Sequence, residues 1–211
     1  MDMIPEFDDR EISHFYFSNA KVCADSFHVL EHLTLAFRDI RLKCRRNTED
    51  EDMQYLLTKF KYVFDHDTNL NNRARYNQRL KCYLNHRDIL NRMCDFFPEL
   101  KKAYELKEAY IHFNETSSSA KAREELTEMI ELFSKSGIKE YEGFVSLLIN
   151  WFEEIINSFT LISGKRINNS YIEARNRTID VLLFNANGYT NFKWSRNRIL
   201  YCLNKNDSFK L

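Results

Sequence analysis

The chain has 211 residues, 14% of them aromatic, with only 4 glycines and 2 prolines; it supports one domain, or one domain carrying a large insertion, and favours a helical, well-packed protein over a disordered one. Lys plus Arg equals Asp plus Glu at 31 each, so no overall field selects a nucleic acid, and any DNA site has to be a local patch. Five scattered cysteines with no Cys-x-x-Cys pair exclude a disulfide framework and a zinc knuckle, while the lack of a run of about 18 apolar residues or of a basic-then-apolar leader predicts no membrane partner and a cytoplasmic chain.

In chain order, Pro5 followed by Glu6, Asp8 and Asp9 predicts a short helix to about Tyr16, with negative charge at its positive end. Lys21 to Ala24, brief and apolar, reads as the one convincing strand. From Ser26 the period changes. Leu30, Leu33, Phe37, Ile40 and Cys44 fall on one face of a long helix, which the charged run "KCRRNTEDED" ends. Helices are expected near 51–64, 74–95 and 97–113, the last opened by Pro98. After the polar linker "NETSSSAK", Ala122, Leu126, Met129, Ile130 and Phe133 predict an amphipathic helix ending near Gly137. The stretch "GFVSLLINWFEEIINSF" reads as one helix, apolar on more than one face, with Phe144, Leu147, Leu148, Trp151 and Ile155 in one stripe. "TLISGKRINNS" is a loop, and helices at about 170–184 and 190–203 complete a mainly α fold.

Two groups carry chemistry. Asp25 is a good helix N-cap with His28 at the N3 position, so local capping accounts for both residues without a ligand. Residues 163–205 hold eight basic residues, Lys165, Arg166, Arg175, Arg177, Lys193, Arg196, Arg198 and Lys205, against the acids Glu173 and Asp180. Such a surplus marks a phosphate-contacting surface or a solvated basic face. Glu173 shares its helix face with Asn176, Arg177 and Asp180; it either points into a cleft or pairs with Arg177 four residues on.

Three motifs in this order resemble those of ISL-type insertion-sequence transposases, bacterial DDE enzymes with an RNase-H-like core. They are Asp25-x-Phe27-His28, Ile172-Glu173-x-x-Asn176, and Asn187-Gly188-Tyr189-x-Asn191-Phe192 followed by Arg198-Ile199-Leu200. "AYELKEAY" and "NWFEEI" resemble that family's helical insertion, and the likeness covers essentially the whole chain. It departs from the family pattern at Ala174, Asp180 and Phe184.

The resemblance implies that Asp2 is the second acid of the Asp-Asp-Glu triad and Glu173 the third, the two holding Mg²⁺ or Mn²⁺, with the first acid lacking a counterpart here. Asp25, His28 and Asn176 are motif residues outside the metal set. Trp151, Arg175, Arg177, Lys193, Arg196 and Arg198 are the candidate DNA contacts. The implied organisation is a partial RNase-H-like core with one short strand left (1–48), a large helical insertion (49–162), and carboxyl-terminal core helices with the third acid and the basic surface (163–211). A truncated DDE transposase, related to DNA cleavage and joining but inactive alone, is the leading expectation. The alternatives are an inhibitor module that binds DNA or transposase, and a helical remnant without function. Expected partners are transposon-end DNA, full-length transposase and further copies of the chain, in the bacterial cytoplasm and on the nucleoid when DNA is bound.

Overall fold

In the computed structural model the described residues are 21–67, 70–162, 164–166, 170–186 and 191–204. The chain divides into two units, residues 1–167 and 168–211. The first is a helical body around one core, built on helix α1 (Ser26–Asn47). Val29, Leu33, Phe37, Ile40 and Cys44 recur every three or four residues along α1 and are all buried. Full burial of a side chain such as Leu33 or Phe37 stabilises by about 1.5–3 kcal/mol. The helix ends where Thr48 turns extended, and Asp50 then caps α2 (Glu51–Lys59), its carboxylate accepting from the Met53 amide at 2.9 Å. A 3₁₀ turn over Lys61–Phe64 brings Phe64 against Phe37 and Tyr104.

Pro98 opens α4 (Pro98–Thr116), the second long core helix, which packs along α1 after α3 (His86–Phe96). Then come α5 (Ala122–Ser134), a 3₁₀ turn over Lys139–Tyr141, α6 (Glu142–Asn150) and α7 (Phe152–Asn157). Tyr110, Phe133, Tyr141 and Phe144 meet edge to face between them, and the buried Tyr141 hydroxyl donates to the Ala103 carbonyl at 2.8 Å.

Several expectations are corrected. Residues 75–84 are not helical: β1 (Arg75–Asn77) and β2 (Cys82–Leu84) form an antiparallel hairpin. The Asn77 side chain accepts from the amides of Arg79 and Leu80, at 3.1 Å each, and Lys81 closes the turn at φ +50. An asparagine that captures its own downstream amides competes with helix formation. The helix starts only at His86, where Asn85 and Asp88 form a reciprocal capping box. Next, 143–159 is not one helix; it breaks at Trp151 (φ −106, ψ 22), although no proline or glycine stands there.

Finally, residues 21–25 belong to no strand, because their backbone bonds go to a helix end instead. A second hairpin, β3 (Leu161–Ile162) with β4 (Lys165–Arg166), replaces part of the expected loop, so the described residues hold four short strands where one was expected.

The second unit contributes α8 (Ser170–Asn185) and α9 (Phe192–Leu203), packed on each other and close to the bounds read from the sequence.

Candidate functional site

The Asp25 motif sits at the start of α1, beside the end of α7. Asp25 caps α1 by accepting from the Phe27 amide at 2.9 Å, one position earlier than a bond to His28 would need. His28 instead faces Glu31 with Nδ1 at 3.5 Å from the carboxylate. Just upstream, the Ala24 amide donates to the Glu154 carbonyl and the Asn157 side chain donates to the Val22 carbonyl, each at 2.9 Å.

Arg166 locks the same region. Its Nε donates to the Ser158 carbonyl (3.0 Å), Nη2 to the Ser158 hydroxyl (2.9 Å) and Nη1 to the Asn114 carbonyl (2.6 Å), and the guanidinium lies 3.7 Å over the Phe159 ring. Burial pushes its pKa down, while nearby charge including Asp25 opposes that shift. Arg166, counted among the basic surplus, is therefore half-buried and used inside the body.

Burial raises the pKa of the Cys23 thiol, and pushes Cys44 and Cys94 up to about 11, so none of these three is primed as a nucleophile.

In the second unit, Glu173 lies near the start of α8, and Asn176 and Arg177 follow on exposed turns. Asp2 lies outside the described residues. Arg175 is half-buried and donates through Nη1 to the Leu203 carbonyl, which ties α8 to the end of α9. Asn191 caps α9 by accepting from the amides of Lys193 (3.0 Å) and Trp194 (3.4 Å). Lys193, Arg196 and Arg198 are exposed. Trp194, Arg198 and Tyr201, spaced for one helix face, are exposed as well. The remaining candidate DNA contact, Trp151, is half-buried at the α6–α7 break and packs on the core.

Sequence reasoning missed a polar cluster in the first unit. Lys107, 2% exposed, ion-pairs with Glu108 at 2.6 Å and donates to the Asp65 carbonyl at 3.1 Å. Glu108 also meets His66 Nδ1 (2.9 Å) and the Asp67 amide (3.1 Å). Apart from the adjacent Lys107–Glu108 pair, contacts 41 and 42 residues apart assemble it, and no local signal marks them.

Asp2 and Glu173 are hard oxygen donors, the class that suits Mg²⁺ or Mn²⁺. Among the described residues, no group of three or more His, Cys, Asp or Glu is placed to hold a metal ion, and no helix is long and apolar enough to cross a membrane.

A family model described as transposase, of the DDE class and ISL3 type, matches residues 1–199. No curated protein and no solved structure matches the chain. A match that contains Asp25, His28, Glu173 and Asn176 in one continuous run means that this chain belongs to the ISL3-type insertion-sequence transposases.

Proposed function

We propose that the chain acts in metal-dependent cleavage and joining of transposon-end DNA, contributing two of the three acids of an RNase-H-like DDE centre. The observation that carries this reading is the family match over 1–199, with Glu173 on a helix that follows the helical body, as the third acid does in the resemblance. Asp2 and Glu173 would hold the cation through their carboxylates. Mg²⁺ or Mn²⁺, when bound, supplies charge that activates the attacking oxygen and stabilises the leaving one. The exposed Lys193, Arg196 and Arg198 hold the DNA backbone, with Arg177 beside the acid.

In this reading a full-length transposase partner supplies the first acid, and cleavage depends on that partner. The exposed Phe184, Phe192 and Trp194 of the second unit are apolar surface that suits pairing with such a partner or with a further copy.

The test mixes the chain with an upstream fragment of an intact relative that carries the first acid, and follows nicking of end-labelled transposon-end DNA in Mg²⁺. Cleavage is expected only in the mixture, and Glu173→Gln or Asp2→Asn abolishes it by removing one charge from the metal set. Cleavage by the unaided chain, insensitive to both substitutions, overturns the assignment.

A further inference from the structure

The β1–β2 hairpin carries a surface that its own folding does not explain. Tyr76 and Tyr83 are directly opposed in the register, with ring centroids 5.2 Å apart, yet they are 53% and 71% exposed. The other face, with Asn77 and Leu84, is the buried one. The hairpin is held to the body without the two rings. Arg79 near its tip reaches Asp52 (2.7 Å) and Glu51 (3.0 Å) and lies over the Tyr55 ring, while Leu84 enters the core.

The hairpin segment itself carries charge of one sign. Residues 71–87 contain Arg73, Arg75, Arg79, Lys81 and Arg87 and no acid. Arg79 and Arg87 are neutralised by Glu51, Asp52 and Asp67. Arg73, Arg75 and Lys81 are exposed and pair with no carboxylate among the described residues. Two outward aromatic faces on a hairpin that also carries these exposed cations, with Arg75 on the opposite face across from Leu84, match a polyanion whose π-faces are accessible. Bases in an intact duplex are stacked on one another; those of a single strand are free to stack on a ring.

We infer that this hairpin is a platform for single-stranded DNA, with Tyr76 and Tyr83 stacking on unpaired bases and Arg73, Arg75 and Lys81 contacting phosphates. It deepens the proposed function, on which it rests, by giving a strand unpaired near a cleavage point a place on the helical body, in addition to the duplex contacts proposed for α9.

The test is fluorescence anisotropy of the full chain with a labelled single-stranded oligonucleotide and with its duplex. Tyr76→Leu/Tyr83→Leu keeps an apolar, strand-compatible pair but removes the π-faces, and it should weaken single-strand binding about ten-fold or more. Tyr76→Phe/Tyr83→Phe should bind within about two-fold of the parent, since the stacking face is kept. Arg73→Gln/Arg75→Gln/Lys81→Gln should weaken binding and flatten its salt dependence. Duplex binding should be nearly unchanged in all three, and circular dichroism reports whether each is folded.

A leucine pair that binds single strands as the parent does, while Lys193, Arg196 and Arg198 still govern duplex binding, overturns the platform and leaves the proposed function standing. A parent chain that binds no DNA of either form overturns both. Hairpin-dependent dimers without single-strand binding reassign the surface to self-association and overturn the platform as well.

Discussion

Asn157, the last residue of α7, donates its side-chain amide to the carbonyl of Val22 at 2.9 Å, joining positions 135 residues apart. With the Ala24–Glu154 backbone bond and the three donors of Arg166, it closes the helical body on itself. Losing one such bond costs about 1 kcal/mol, so Asn157→Ala should lower the unfolding free energy by that amount. Arg166→Lys should cost more, about 2–3 kcal/mol, because an ammonium cannot serve three fixed acceptors and a ring face together. Urea denaturation reads both. A lysine variant as stable as the parent removes Arg166 from the closure.

A second prediction concerns acid. Burial opposes ionisation of Glu108, but the bond from Lys107, the bond to His66 and the Asp67 amide outweigh it and hold the carboxyl below its ordinary value of 4.5. A depressed folded pKa means the charged form stabilises the fold above about pH 4.5, and that this contribution is lost as pH falls through the folded value. Thermal melts from pH 7 to 3 should therefore fall on the acid side. Glu108→Gln should flatten that limb and, by leaving Lys107 buried without its carboxylate, lower stability at pH 7 by about 3–5 kcal/mol. An unchanged acid limb in the variant refutes the coupling.

The third prediction separates the basic residues by what they touch. Lys193→Gln, Arg196→Gln and Arg198→Gln together should flatten the salt dependence of duplex binding without changing the fold, by about 0.9 in the log–log slope for each phosphate that is no longer neutralised. Arg175→Gln should loosen the α8–α9 pair instead, since its guanidinium serves the Leu203 carbonyl. A slope unmoved by the triple change places the DNA-binding surface elsewhere.

The sequence announced what depends on near neighbours. The α1 stripe through Leu33, Phe37, Ile40 and Cys44, the start at Pro98 and the Asp25 cap all repeat or act within one or two turns, and each stands in the structure. The hairpin was hidden because "RYNQRLKCYL" has enough long side chains to pass for helix, and Asn77 and the Tyr76–Tyr83 opposition outvote that propensity. The Asn85-x-x-Asp88 box was a readable local signal for the true helix start. For the site, motif order identified the family and placed Glu173 near the start of a helix, but no spacing shows which distant carboxylates converge. The Lys107–Glu108–His66 cluster was illegible for the same reason.

The closure at Val22, Ala24, Glu154 and Asn157 has a consequence for how such proteins diversify. A segment that enters and leaves side by side is a cassette, whose interior can lengthen, shorten or be exchanged without moving the points where it is spliced in. Selection on what that interior touches can then run at its own pace, uncoupled from the geometry demanded of the chain on either side.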